Sequence, residues 1–411
     1  MHAILAAAVA VAAASSFGAP AAAQVAPAFP ELLRRAADSA PRLTAGDAEI
    51  DVARGLARQA RARPNPTLGA EVENFAGSRP YGRFDQAETT LTVQQPFELG
   101  GKRAARAATA DAELRTAGAR ARQVRADFAR DLAVAYATAE AMAARLTIAR
   151  EALDLAAQDA RAAHLLVEHG REARVRGVQA DAAVATARGD LAGAEAENDA
   201  ALARLGALTG APTGFTAVAG GLLDAPLPTL AGSRDDTPAV SVARAERDAA
   251  QWRIGSERRR AIPDLTVSLG ARRLEGAGAT ALIAGVSVPL PLFDRNRGSV
   301  DSAAAGARGA EARLADATAS AGAERRSASS RVRAAEARVS AAGEGEAAAA
   351  EAYRLARIGY DGGKLPLIEL LAARRALIDA RSRTIEVRLA RIEAAAELAR
   401  LGGVSLAGAI S

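Results

Sequence analysis

No cysteine occurs in the 411 residues, which excludes disulfides, thiolate-held metals and a lipid-modified cysteine. Aromatic residues make up 3% of the chain, a poor supply for one large compact core. Beyond the N-terminal region the histidines are His164 and His169, five apart and so on different faces of a helix. No HExxH, GxSxG or Ser/His/Asp grouping is evident. Lysine is confined to Lys102 and Lys364. Each follows a glycine pair, but neither has the GxxxxGK[ST] context of a phosphate loop. These absences argue against an enzyme and leave no catalytic, cofactor-binding or resident metal residue to nominate. Proline is also missing over long stretches, between Pro96 and Pro212 and between Pro291 and Pro366.

Half of the residues are apolar, and 53 basic residues stand against 48 acidic ones, a net charge of +5. Because the two signs are interspersed along helical segments, the charge reads as solvated faces rather than a nucleic-acid stripe. Residues 1–23 have the pattern of a secretory signal peptide, with an apolar core and Ala21-Ala22-Ala23 before Gln24. No later stretch approaches the roughly 20 strongly apolar residues of a membrane-spanning helix.

The chain states one pattern twice. Residues 89–103, TTLTVQQPFELGGKR, alternate apolar and polar side chains up to Pro96 and pass after Gly101 into an alanine- and arginine-rich run. Residues 284–298, AGVSVPLPLFDRNRG, repeat this, and each copy has a second alternating run upstream. The expected division is a first repeat at 24–210, with helix, strand pair 66–97 and long helical hairpin 102–208. A linker follows at 211–238, then a second repeat at 239–402, with helix, strand pair 263–292 and hairpin 296–401, and a tail at 403–411. Alternation places Leu68, Val72, Leu91, Val93, Leu265, Val267, Leu269, Leu282, Val286 and Val288 on one apolar face. Strands of about nine residues with one apolar face match those of membrane barrels. Four strands cannot close a membrane barrel, whose minimum is about eight, so chains must pool them.

Sevenfold recurrences, Phe128, Ala135 and Met142 in one hairpin and Ile378, Ile385 and Ile392 in the other, predict helices packed along their length. A continuous helix from Lys102 to Glu168 would be roughly 100 Å long at 1.5 Å per residue. Each hairpin has one glycine-bearing break, Glu168-His169-Gly170-Arg171 in the first and residues 359–364 in the second, which includes Tyr360, Asp361, Gly362, Gly363 and Lys364. Asp361, Glu369 and Asp181 are the candidate carboxylates for a cation-attracting ring at the tips, where symmetry would multiply any inward charge.

Several of these segments together resemble an outer membrane factor of the TolC-like family. They are Pro64-Asn65-Pro66, Ile262-Pro263-Asp264, QQPFELGGKR at 94–103, PLPLFDRNRG at 289–298 and the turn Tyr360-Asp361-Gly362-Gly363. The two decapeptides are most similar to the heavy-metal efflux, CzcC-like branch. The resemblance implies a homotrimer in the outer membrane of a Gram-negative bacterium. Its four strands per chain would pool in a 12-stranded β-barrel continuing into a periplasmic α-helical coiled-coil barrel. It further implies an exit duct of a tripartite system, partnered by a periplasmic adaptor at the hairpin tips and an inner-membrane RND-type pump, with heavy-metal cations as cargo. Drug efflux and type I secretion stay open as alternatives. A periplasmic adaptor would have one hairpin rather than two, and an exported structural coiled coil would leave the alternating strands unexplained.

Overall fold

The computed structural model describes residues 24–81, 84–211, 214–227, 237–362 and 364–409; the expected signal peptide lies outside them. Prolines set the first boundaries. Pro41 cannot continue the hydrogen-bonding of α1 (Phe29–Ser39), so the chain restarts there as α2 (Pro41–Ala60). Pro64 and Pro66 separate α2 from β2 (Thr67–Glu73), which pairs antiparallel with β3 (Glu88–Phe97). Gly100 and Gly101 adopt φ of 65° and 70°, a left-handed turn that glycine makes without strain. They launch α3 (Lys102–Glu168), 67 residues without interruption.

The same order recurs in the second half. α5 (Pro238–Arg260) leads into β5 (Leu265–Leu274) and β6 (Ala279–Ser287), and these into α6 (Arg297–Asp361) and its return helix α7 (Leu367–Leu401). The return helix of the first half is α4 (Arg174–Thr209). The two strand pairs join through β3 and β5 into one antiparallel sheet of order β2-β3-β5-β6. Near the sheet the helices stand in the matching order, α2 on α3, α3 on α5 and α5 on α6. Farther away α4 packs on α3, α3 on α7 and α7 on α6. Each strand therefore continues into its own helix, and the chain forms a panel with one edge at β2 and α2 and the other at β6 and α6.

The largest side chains gather between the two halves of the panel. Phe29, Leu32, Phe128, Leu132, Tyr136, Leu205 and Ile392 are all buried there, with Phe29 edge-on to Tyr136 at 6.0 Å between ring centroids. Away from this waist the buried residues of α3 and α6 are chiefly alanines, such as Ala112, Ala119, Ala310, Ala328 and Ala335. Small side chains let helix backbones approach, so length of contact replaces bulk in the packing.

The stretch between the repeats departs from the expected irregular linker. Within it β4 (Phe215–Val218) pairs in parallel with β1 (Gln24–Ala26), a pairing no local pattern announces. The following turn is fastened to α3 and α7. Gly220 and Gly221 take φ of 79° and 92°, which turns successive N–H groups inward as an anion-binding nest. The Glu140 carboxylate accepts from Gly221, Leu222 and Leu223 N–H at 2.7, 3.0 and 3.2 Å. Arg391 donates to the Leu223 and Ala225 carbonyls, and Gly220 N–H donates to the Tyr136 hydroxyl at 3.1 Å.

Other expected boundaries shift. β6 ends at Ser287 rather than near residue 292, because Pro289 and Pro291 have no N–H for a ladder; Val288 thus lies just past the strand. The second hairpin turn begins after Asp361, not at Gly359. Gly359 stays within the helix, and Leu365 folds over it, with its Cδ1 only 2.7 Å from where a Cβ would stand. The tail carries a small hairpin, β7 (Val404–Ser405) with β8 (Gly408–Ala409). α3 also holds an 18-residue window of mean hydropathy 1.2, closer to a membrane span in composition than its sequence pattern suggests. That window is alanine-rich and 44% buried within the chain.

Replacing Glu140 with alanine leaves three N–H groups of the nest without their acceptor. Charge-assisted bonds of this kind are worth about 1.5–3 kcal/mol net, so Glu140→Ala should lower the thermal unfolding temperature. Hydrogen exchange should rise selectively at residues 220–223.

The two-faced sheet and the hairpin tips

The register of the sheet sorts its side chains by chemistry. Leu68, Val93, Leu269 and Ala284 stand opposite one another across the four strands, as do Ala70, Leu91, Ala271 and Leu282. Side chains in register share a face, so one face holds Leu68, Val72, Leu91, Val93, Leu265, Val267, Leu269, Leu282 and Val286. Leu282 is 90% exposed, Leu68 74% and Val286 70%, whereas Leu265 and Val267 are partly covered. This face, interrupted by Gln95 beside Val267 and by Thr89 and Arg273 toward the loop end, opposes water at about 25 cal/mol per Å² of its apolar area and marks an interaction face.

The opposite face is mostly polar and low, though Leu274 and Ile283 also stand on it. Gly69, Thr92, Gly270 and Ile283 lie in one register row. A Cβ on Gly270 would come within 2.4 Å of the Leu91 carbonyl, and one on Gly285 within 2.8 Å of Ser268 Oγ. Near the loop end of the same face, Arg272 reaches Thr90 Oγ1 and Glu88 at 3.0 Å and Glu73 at 3.3 Å. Its carboxylate partners come from two other strands, β2 and β3, which no pattern within β5 announces.

At the far end the first tip is a compact turn. Glu168 closes α3, His169 caps it, and Gly170 takes φ of 68°. Arg171 and Glu172 donate their N–H groups to the Leu166 carbonyl at 2.9 and 3.2 Å, satisfying helix-end acceptors as a glycine-dependent cap does. In the second tip Tyr360 lies in the last turn of α6. Gly362 N–H closes onto Ile358 at 3.0 Å, and Lys364 N–H onto Gly359 at 2.8 Å. Gly363 and the Asp361 side chain lie outside the described residues.

The remaining candidate carboxylates are placed differently. Asp181 faces His164 across the first hairpin, Oδ1 to Nε2 2.9 Å. His169 turns its Nδ1 to the Leu165 carbonyl at 2.7 Å, so the two histidines do not converge. Glu369 is exposed in the first turn of α7, where the helix dipole favours an acid.

Sequence reading did not find the ion pairs joining the two hairpins. From the tip toward the waist, Arg374 meets Asp159, Arg381 meets Glu151 at 3.0 Å and Arg145 meets Glu386 at 3.5 Å, all between α3 and α7. Arg388 then meets Asp224 of the inter-repeat stretch at 2.8 Å. The Arg374 and Asp159 side chains are mostly covered, at 14% and 29% exposure, and so escape much of the solvent screening that weakens surface pairs. At the waist Glu397 is held by Arg400 and approached by Arg130. The Arg400 hydrogen bond holds its carboxyl below the ordinary value of 4.5.

A channel wall is what this combination defines. One sheet face suits hydrocarbon, the other suits water, and each strand continues into a helix of a long panel. Comparison with known proteins gives the family. The chain matches the outer membrane efflux protein family over residues 32–211 and 232–404. It is 42% identical over 380 residues to the nickel-cobalt-cadmium resistance protein NccC of Alcaligenes xylosoxydans xylosoxydans, covering 92% of this chain and 87% of that one. It is 44% identical over 353 residues to the nickel and cobalt resistance protein CnrC of Cupriavidus metallidurans, covering 85% and 84%. The solved outer membrane protein VceC of Vibrio cholerae shares the fold with a TM-score of 0.74 at 22% identity, covering 92% of this chain and 96% of that one. The chain belongs to the outer membrane efflux protein family. It is the outer-membrane component of an efflux system, with the fold of a TolC-like channel.

Arg374→Ser combined with Arg381→Ser should raise hydrogen exchange in the first turns of α7 by roughly tenfold and leave the sheet unchanged. For Glu397 the folded carboxyl has the lower pKa, so its contribution to stability is present above 4.5 and is lost as pH falls through the folded value. Thermal melts at decreasing pH should therefore converge for the native protein and Glu397→Gln.

Proposed function

We propose that three copies of this chain assemble into a 12-stranded barrel continued by a helical tube, forming the exit duct of a tripartite pump for divalent heavy-metal cations. The two-faced register of the sheet carries this reading. A face of Leu68, Leu269 and Leu282 suits lipid, its glycine-lined reverse suits a water-filled bore, and four strands with two free edges need further copies to close. The two halves act as structural repeats, each a strand pair with its own helical hairpin. Such a duct supplies a path and no energy, so the reading includes an inner-membrane RND-type pump and a periplasmic adaptor.

Metal as cargo is supported by the names of the relatives, whose resistances are to nickel, cobalt and cadmium. Glu168, His169, Gly170 and Arg171, with Tyr360, Gly362, Gly363 and Lys364, form the surface offered to the adaptor. Asp361, Glu369 and Asp181 are the candidates for a threefold cation-attracting ring there. Substrate choice rests with the pump in this reading, because the duct itself supplies only a path.

Val267→Arg and Ser268→Arg test the register of the sheet. An arginine on a lipid face near the bilayer midplane costs about 2–4 kcal/mol. The first variant should therefore lose heat-modifiable trimers from outer-membrane fractions while the second keeps them, and equal defects would overturn the assignment. Gly170→Val tests the tip, because a β-branched residue resists φ of 68°. Normal trimer levels with lost adaptor crosslinking and lost nickel and cobalt resistance are expected. Retained metal resistance in a strain deleted for the chain would instead point to drug or protein export.

A further inference from the structure

We infer that Arg120 and Arg253 keep the bore of the duct from retaining the divalent cations that pass through it, by holding in ion pairs the carboxylates that would otherwise collect them. The inference rests on the reading of the chain as one wall of an exit duct for such cations. Beyond the sheet a groove of about 1060 Å³ runs across the panel, lined by residues of α2, α3, α5 and α6. Those helices stand in a row, α2 on α3, α3 on α5 and α5 on α6. A groove bordered by all four lies on the side toward which the row curls, and in a closed tube the concave side is the bore. An adjoining hollow of about 560 Å³ shares Leu56 and Glu113 with the groove and reaches Glu98. Glu98, one residue past β3, continues the alternation of Thr92, Gln94 and Pro96 on the polar face of the sheet. Groove and polar face therefore belong to one side of the wall.

The middle of the groove lies on α3 and α5, the inner helices of the row, away from the panel edges where further copies would meet. Two ion pairs cross between them there. Glu113 accepts from Arg253 at 2.7 Å, and about 10 Å farther along the helices Glu246 accepts from Arg120 at 2.5 Å. Nearer the sheet Arg260 pairs with Glu257 at 3.1 Å. Glu49 and Arg313, one on each edge helix, complete a lining of four carboxylates and four arginines, so the groove carries no net charge. In both crossed pairs the arginine is the more exposed member, 59% against 42% and 63% against 29%. An ion in the groove thus meets a guanidinium at least as readily as a carboxylate. Pairs this exposed add little to stability; their consequence is electrostatic. A pore conducts only if its binding is weak enough to let the ion leave, and a bare carboxylate draws a doubly charged ion twice as strongly as a monovalent one. Without their partners Glu113 and Glu246 would place two free carboxylates per chain in the bore.

Planar-bilayer recordings on purified full-length protein test this, with Ni²⁺ as the probe and KCl at low ionic strength, where fixed charges are least screened. Native channels should keep most of their current when Ni²⁺ is added. Arg120→Gln with Arg253→Gln should shift the reversal potential toward that of K⁺ and lose most of the current on adding Ni²⁺. Adding Glu113→Gln and Glu246→Gln to that variant should restore Ni²⁺ tolerance. The two acid substitutions alone should shift the reversal potential the other way, toward that of Cl⁻. An unchanged reversal potential and Ni²⁺ response in the arginine variant would overturn the inference, as would native channels already blocked by Ni²⁺. Loss of the heat-modifiable trimer in both the arginine and the acid variants would also overturn it, since a purely bracing role predicts that result. Where the arginine variant alone fails to assemble, the acid variant decides, and no shift toward Cl⁻ there counts against the inference. Failure of the duct reading itself shows separately, as native trimers that conduct no ions.

Discussion

The controlling constraint is that this sheet cannot be finished by its own chain. β2 and β6 each leave a row of backbone donors and acceptors unpaired along one side. In hydrocarbon every such group costs several kcal/mol, so a membrane sheet must close on itself. The apolar face adds the same demand, since exposed Leu68, Leu269 and Leu282 are stable only against lipid. An open edge and an apolar face together make the isolated chain a fragment of a barrel, and the polar, glycine-rich reverse becomes the bore when that barrel closes.

The helical panel follows from this closure. Because helix order copies strand order, α2-α3-α5-α6 beneath β2-β3-β5-β6, whatever closes the sheet also brings the panel edges together. Alanine at the helix contacts keeps the wall thin and continuous. The cost is weak lateral packing, and two devices offset it. The waist concentrates Phe29, Phe128, Leu132, Tyr136 and Ile392, and the Glu140 nest with Arg391 ties the inter-repeat stretch to α3 and α7. Below the waist, ion pairs rather than apolar bulk join the hairpins, from Arg381–Glu151 to Arg374–Asp159.

Periodicity alone determined much of this architecture. Alternation by twos assigned Leu68, Leu91, Val267 and Leu282 to one face, because side-chain direction along a strand is a local property of the backbone. Recurrence by sevens and the absence of proline between Pro96 and Pro212 marked α3, since a helix needs only its own backbone to persist. Tertiary structure decided whatever depends on residues distant in sequence. β1 pairs with β4 across nearly two hundred positions, and β3 with β5 across a whole hairpin. Asp159 finds Arg374, and Arg272 finds Glu73 and Glu88, only after helices and strands have been ordered. Gly359, which reads as a helix breaker, lies inside α6, and its missing side chain leaves the space that Leu365 fills. Local pattern names a face; which charge meets which is a consequence of packing order.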